Sequence, residues 1–453
     1  MPAFLPARGV LRSAALLLAL GLGAGPVAAD DPDWAAGYDA AQMIVVAVAN
    51  KPDPQPSAGA TPRGYDALPN YAGGDRAVVT AANLSSDYHL REVSAWVIAP
   101  LRLRCMVFAL PPSADRAAVI AQLKGDRRVR IAQPLQEFET FGDGAGGAGG
   151  PALPAAGAAD AVYNDPYVGL QHNFSIIAAA GAQRTTRGDG VRIALIDAGV
   201  DTTHPDLDGR IAQQRDFVGT APQNVAERHG TEVAGVIAAV ANNKLGIVGI
   251  APAAQLLAYR ACWTLPAQPA SARCNSYTLA LALGAALASD AHIINLSLGG
   301  PADPLLEELL AYALARGTIV VGAVPPDRRL DGFPVGVPGV IAVASAEDVQ
   351  AEGATAAAGV LRAPGRDILT LEPGGHYDYA SGSSLATAHV TGALALLLAL
   401  KPGESAAELA ALLRRSQGEA GASIDICSAV AGLSGATTAC GLRAAVPAAT
   451  KGG

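Results

Sequence analysis

The chain predicts an α/β protein in which a parallel sheet carries helices on both faces, preceded by a small α+β unit. Three observations carry that expectation. From about residue 160 onward, short apolar strands alternate with helical stretches, the pattern of a parallel sheet buried on both sides. Residues 30–141 hold a separate, smaller set of strand and helix candidates. Between the two, residues 142–157 read GDGAGGAGGPALPAAG, the composition of a flexible linker and a natural place for proteolytic cutting. With 453 residues the chain is long enough for two or three domains.

In chain order, residues 1–29 read as a secretory signal. Arg8 and Arg12 form a basic start, the apolar run 14–23 is too short to span a bilayer, and Val27-Ala28-Ala29 offer small residues for cleavage before Asp30. This predicts a secreted or periplasmic protein with no stable membrane insertion after cleavage; the competing reading is an uncleaved anchor. In residues 30–141, the segments 43–49 (MIVVAVA), 95–98, 104–110 (RCMVFAL) and 129–135 (VRIAQPL) are strand-like. Segment 114–123 is helical, with Ala117, Ile120 and Leu123 on one face. The linker is assigned to 142–159 and the main domain to 160–445. There, 191–196, 255–259, 293–296, 318–321 and 340–344 read as buried strands, and 231–241, 277–289, 305–316 and 386–400 as the helices between them. The apolar run 393–400 is shorter than a membrane span and reads as a buried helix. Segment 406–415, after Pro402-Gly403, is a peripheral helix, and 446–453 is a tail.

Hydrophobic residues make up 51% and charged residues 16% of the chain, which supports a globular protein with a large core. A net charge of −8 argues against nucleic acid or an anionic membrane as the main partner. Cys262 and Cys274 bracket one loop and Cys427 and Cys440 another. In an exported chain this predicts two local disulfides, each stabilising by about 3 kcal/mol. Cys105 is left over, and no spacing of Cys and His suggests zinc.

The chemistry centres on residues 381–392, SGSSLATAHVTG. Ser384, after Gly382 and Ser383, stands at the start of an apolar helical run, where backbone N–H groups favour negative charge. A plain helix cap reads the same way. Asp197 directly follows a buried strand, at the edge of the sheet where sites form, although an aspartate there also serves a plain turn. His229, in RHGTEVAG, stands at a helix start and outside any HExxH pattern. Together the three supply a nucleophile, a base and a group that orients the base. The order Asp…His…Ser and the absence of GxSxG separate the chain from lipase-type hydrolases.

On these residues the chain resembles the subtilisin-like serine peptidases. The resemblance covers roughly residues 160–445 and rests on IDAGVDTTHPDL (196–207), HGTEVAG (229–235), INLSLGG (294–300), APG (363–365) and GSSLATAHVTG (382–392). It implies a parallel sheet of about seven strands with helices on both faces, and cleavage of peptide bonds in protein or peptide substrates. No cofactor is implied for the chemistry. Residues 30–141 are similar to the ferredoxin-like prodomain of this family, which implies an inhibitor and folding chaperone removed on activation. Asp197, His229 and Ser384 match the triad, and Ser297-Leu298-Gly299 match the strand that pairs with the substrate backbone. Asp206 and Asn243, the latter in the loop Asn242-Asn243 before Gly246, match positions that bind structural calcium in some members.

The chain departs from the family at the oxyanion hole. Counted from Gly317, Pro326 occupies the place of the usual asparagine and brings neither a side-chain donor nor a backbone N–H. Loss of that donor costs about 10²–10³ in turnover, a magnitude measured in a subtilisin. The backbone N–H of Ser384, the hydroxyl of Ser383 in place of the usual threonine, and a protonated Asp327 are the remaining donor candidates. Ala198 and Ala388 replace a usual hydroxyl residue and proline. Two functions are therefore expected to compete. One is an exported endopeptidase acting through an acyl-enzyme on Ser384. The other is a pseudoprotease that binds without turnover.

Overall fold

The computed structural model describes residues 39–50, 72–142, 162–219, 225–265, 268–351, 359–417 and 423–435. The signal-like segment, most of the linker and the tail lie outside the described residues.

The N-terminal unit runs β1 (Met43–Ala49), α1 (Ala72–Asp87), β2 (Arg91–Ile98), β3 (Leu103–Ala109), α2 (Arg116–Gly125) and β4 (Val129–Pro134). Its strand order is β2-β3-β1-β4, and every pair is antiparallel. This βαββαβ order is ferredoxin-like. Alternate residues of β1 face opposite ways. Ile44, Val46 and Val48 pack with Leu84 and Leu123 of the helices, while Met43, Val45 and Ala47 join the core of the larger domain. Helix α1 lies outside the helices that the sequence predicts: AGGDRAVVTAANLSSD carries two glycines in its first turn and lacks a strong apolar stripe. A fifth strand, β5 (Glu137–Thr140), leaves this sheet for another.

The main domain opens with two short helices, α3 (His172–Ile176) and α4 (Ala179–Gln183). Its sheet is built from β6 (Arg192–Asp197), β7 (Ile211–Asp216), β8 (Gln255–Arg260), β11 (Ile293–Leu296), β13 (Ile319–Ala323), β14 (Ile341–Ser345) and β15 (Leu361–Ala363). The order is β15-β14-β13-β11-β6-β8-β7, parallel throughout. Five of these strands follow the apolar runs of the sequence. The other two are the edge strands: β7 (IAQQRD) is too polar, and β15 (LRA) too short, to carry a periodic signal.

Helices α5 (Arg228–Ala238) and α9 (Ser383–Leu400) cover one face, sharing a core with Ile193 and Leu195 of β6. Helices α6 (Ser276–Ala288) and α7 (Pro304–Ala315) cover the other, with Ala194 and Ile196. The N-terminal unit docks on α6 and α7. Trp96 meets Tyr277 edge-on at 5.0 Å, and the Ser94 hydroxyl donates to Tyr277 Oη at 3.0 Å. Gln133 Oε1 accepts from Leu305 N at 3.1 Å, and Gln136 O from Ser276 N at 3.0 Å. The unit thus satisfies N–H groups that helix starts leave unpaired.

Two hairpins and three further helices complete the fold: β9 (Cys262–Leu265) with β10 (Gln268–Asn275), β16 (Ile368–Glu372) with β17 (His376–Ala380), α8 (Ala346–Ala351), α10 (Ala406–Ser416) and α11 (Ile426–Ser434). The short strand β12 (Leu298–Gly299) follows β11. Cys262 and Cys274 form the expected disulfide, cross-linking β9 to β10. Cys427 is also disulfide-bonded, while its expected partner Cys440 lies outside the described residues. Cys105 is free and buried in β3, its thiol pKa pushed well above the usual range by burial.

Helix α9 is buried on all sides, so its leucines are core on every face. Leu396→Ala is expected to cost about 2–5 kcal/mol in urea unfolding. Leu245→Ala, at a residue 41% exposed, should stay within about 0.5 kcal/mol.

Candidate active site

The carboxyl ends of β6 and β11 and the first turns of α5 and α9 meet at one edge of the sheet. Asp197 is the last residue of β6 and wholly buried. Its Oδ1 accepts from His229 Nδ1 at 2.7 Å and from Ala198 N at 2.6 Å, while Oδ2 is buried without a hydrogen-bond partner among the described residues. His229 is the second residue of α5. The helix approaches closely because Gly230 follows: a Cβ there would lie 2.4 Å from Ala198 O. Burial pulls the His229 pKa down, but the charge of Asp197, the hydrogen bond with it and the charge of Glu232 prevail, so the net direction is up.

Ser384 is the second residue of α9 and fully buried. Its Oγ donates to Ser297 O at 2.9 Å and accepts from Phe141 N at 3.2 Å. His229 Nε2 is buried with no hydrogen-bond partner among the described residues. The Asp–His half of the predicted triad is therefore hydrogen-bonded, whereas the serine hydroxyl is turned to the β11–β12 segment. Ser297 Oγ in turn donates to Ser384 O and to Asn295 Oδ1, each at 3.1 Å.

A strand of the protein itself occupies the cleft. β5 lies between β12 and β10 in a four-stranded sheet, β12-β5-β10-β9. On one side Leu298 pairs antiparallel with Thr140 and Gly299 with Glu139; on the other Arg273 pairs with Glu139 and Cys274 with Phe138. The predicted Leu298 and Gly299 thus do hold an extended backbone, and the disulfide-linked β10 supplies a second wall. Burial alternates along β5: Phe138 and Thr140 are inward, Glu137 and Glu139 outward. Phe138 meets Phe333 edge-on at 5.5 Å, and Thr140 Oγ1 accepts from Ala272 N at 2.9 Å.

Beyond β5, Phe141 O accepts from Ser384 N at 3.4 Å. Gly382 makes room for that carbonyl. It has φ +147°, and a Cβ would lie 2.1 Å from Phe141 O, so the position requires glycine twice over. Beside Phe141 opens a cavity of about 570 Å³, walled by Gly299, Pro325, Pro326, Asp327, Arg329 and Gly332. Pro326 thus lines the same cavity as Phe141. Asp327 Oδ1 accepts from Arg329 N at 3.1 Å, a bond within its own turn. Ser383 opens α9 and accepts at its backbone oxygen from Thr387.

The calcium expectation at Asp206 and Asn243 meets a different arrangement. Asp206 is fully buried and surrounded by donors: Asn243 Nδ2 at 2.7 Å, Ile247 N at 2.9 Å and the Tyr377 hydroxyl. Asn243 Oδ1 faces away, accepting from Leu245 N at 2.8 Å. The Tyr377 ring fills the space over Gly246, where a Cβ would come within 2.0 Å of it. A calcium ion needs oxygen acceptors, so these residues do not fit one. Among the described residues no cluster of three or more His, Cys, Asp or Glu could hold a metal ion.

Two contributors escaped the sequence reading. Glu227 accepts from Gly199 N at 2.8 Å, Thr264 N at 2.7 Å and Arg260 Nε at 2.8 Å, tying the Asp197 turn to the β9–β10 hairpin. Phe141, at the very edge of the linker, had its period-2 EFET run as the one available signal.

The Subtilase family model matches residues 188–433. Thermitase of Thermoactinomyces vulgaris is 35% identical over 261 residues, covering 56% of this chain and 90% of the relative. Subtilisin E of Bacillus subtilis (strain 168) is 34% identical over 224 residues, covering 48% of this chain and 57% of the relative. Among solved structures, fervidolysin from Fervidobacterium pennivorans, a keratinolytic enzyme related to subtilisin, superposes with a TM-score of 0.65 at 20% identity, covering 86% of this chain and 60% of that one, which speaks to the fold. The chain belongs to the subtilase family of subtilisin-like serine proteases.

Proposed function

We propose that this protease is an exported serine endopeptidase that cleaves peptide bonds through an acyl-enzyme on Ser384, with residues 30–141 as its own inhibitor. The observation that carries the reading is the carbonyl of Phe141 at the N–H of Ser384, in a backbone held as an added strand. In the reaction, Ser384 Oγ turns from Ser297 O toward His229 Nε2, gives up its proton there and attacks the carbonyl carbon. Asp197 holds the imidazole by Nδ1 and stabilises its cation. The Ser384 N–H faces the oxyanion. The C–N bond breaks as His229 returns the proton to the leaving nitrogen; water then reverses the sequence and frees the acid. Export is supported by the signal-like residues 1–29, and inhibition by the burial of Ser384 under β5. The rival reading, a pseudoprotease, rests on Pro326.

The raised His229 pKa sets the acid limb. The base must be neutral, so kcat/KM is expected to fall as pH drops through a value above about 6.5, the ordinary histidine value. Release of β5 removes burial, a downward influence, and keeps that direction. A pH profile on a peptide substrate checks it, with Ser384→Ala inactive throughout; a midpoint below the ordinary value counts against the Asp197–His229 assignment.

Pro326→Asn restores a side-chain donor. If the missing donor limits the rate, kcat should rise toward the 10²–10³-fold that such donors contribute. An unchanged kcat in a folded variant means that another group already holds the oxyanion.

We further propose that the chemistry needs no metal and that Tyr377 satisfies Asp206 in place of calcium. A chelator should leave the melting temperature and activity unchanged. Tyr377→Phe should cost about 1–3 kcal/mol by leaving a buried carboxylate short of a donor. Calcium-dependent melting that Asp206→Asn abolishes would show the reverse.

A further inference from the structure

We infer that Arg228 and Glu232 act on His229 as a charge-compensated brace. Glu232 favours the imidazolium form, Arg228 limits that effect, and the hairpin of β16 and β17 holds the pair in place. Both are positioning residues that act through His229. The inference therefore rests on the acyl-enzyme reading above and extends it to what sets the working pH.

The brace is built on one helix. Arg228 is the first residue of α5, His229 the second and Glu232 the fifth. Residues three and four apart are neighbours on a helix surface. Glu232 thus stands one turn on from His229 and within reach of Arg228. Arg228 Nε donates to Glu232 Oε1 at 2.6 Å. Arg228 Nη2 meets Asp378 Oδ2 of β17 at 3.1 Å and Glu372 Oε2 of β16 at 3.3 Å. The hairpin also holds the helix backbone, because Thr370 Oγ1 donates to Glu232 O at 2.6 Å. Gly235 permits that approach: a Cβ there would lie 2.5 Å from Leu371 Cγ.

Stability does not account for the pair. An exposed ion pair contributes little, and a buried one is often replaced by apolar side chains without loss. The Glu232 side chain is 6% exposed. What its charge does change is His229, whose pKa it raises alongside Asp197. A bare carboxylate would raise it further, and the guanidinium bonded to Glu232 offsets part of that field.

The charges on the other elements packed against α5 are already matched. From α9, His389 is buried between Asn173 Nδ2 and Leu385 O, and burial lowers its pKa to about 4, so it stays neutral. Arg260 of β8 pairs with Glu227 and Asp216, and Arg273 of β10 with Glu137. Arg192, at the far end of β6, pairs with Asp290. Asp206 is enclosed by its own donors, and His204 Nδ1 accepts from Asp206 N. On the hairpin, His376 stands opposite Glu372.

NMR titration of the His229 ring in the full-length chain carrying Ser384→Ala tests this, together with the pH profile of kcat/KM on a peptide for chains that keep Ser384. Glu232→Gln removes the negative member. The His229 midpoint and the acid limb should then move down by about 0.5–1 pH unit, the effect of one charge roughly a helical turn away. Arg228→Gln removes the positive member and should move both up by a similar amount. Arg228→Lys keeps the charge and should keep the parent midpoint. The double variant, with two neutral amides, should lie between the two single variants. Where one single variant does not fold, the double variant compared with the other carries the same test of sign: adding Glu232→Gln lowers the midpoint, and adding Arg228→Gln raises it. Midpoints that move the same way in both, or that stay fixed in folded protein, overturn the inference alone. Opposed shifts in a chain whose parent hydrolyses no peptide uphold the brace and overturn the acyl-enzyme reading.

Discussion

The site depends on two helix starts reaching the carboxyl end of one parallel sheet. Strand β6 ends on Asp197; α5 delivers His229 in its first turn and α9 delivers Ser384 in its first turn. In a parallel sheet the helix that follows a strand must cross back over a face, so loops and helix starts collect at the same edge. Close approach there leaves little room, and the two glycines show where it is shortest. Gly230 lets α5 touch the Asp197 turn, and Gly382 lets a carbonyl lie against the start of α9. The helix starts also bring N–H groups without an intrahelical acceptor, and that of Ser384 donates to the carbonyl of Phe141.

The second constraint is backbone pairing. β12 on one side and the disulfide-linked β10 on the other make β5 the middle strand of three. The N-terminal unit meets that requirement with its own last strand, while Gln133 and Gln136 take up N–H groups of α7 and α6. In the proposed reading, inhibition and substrate recognition use the same hydrogen bonds. With β5 in place Ser384 Oγ is held by Phe141 N and Ser297 O, and His229 Nε2 has no partner among the described residues. The docked state has the Asp–His pair formed and the His–Ser contact still to be made.

Much of this was legible in the sequence. Asp197, His229 and Ser384 announce themselves by residue type and order, and the apolar runs of β6, β8, β11, β13 and β14 give the centre of the sheet. The edge strands β7 and β15 did not, because an edge position tolerates polar or very short segments. Phe141 was hidden for another reason. The alternation of Phe138 and Thr140 with Glu137 and Glu139 just before it is a strand signal, but nothing local says which sheet the strand joins, and the partner of Phe141, Ser384, is distant in the chain. At Asp206 the motif implied calcium, while a neighbour that donates to its carboxylate, Tyr377, comes from a hairpin that the local pattern does not mention.

In the proposed reading Ser384 is a nucleophile activated by His229. Labelling by a fluorophosphonate, mapped to a residue by mass spectrometry after removal of the N-terminal unit, measures that reactivity. A single adduct on Ser384 is expected, lost in Ser384→Ala and strongly reduced in His229→Ala. An unlabelled Ser384 in folded protein, or equal labelling without His229, would contradict it.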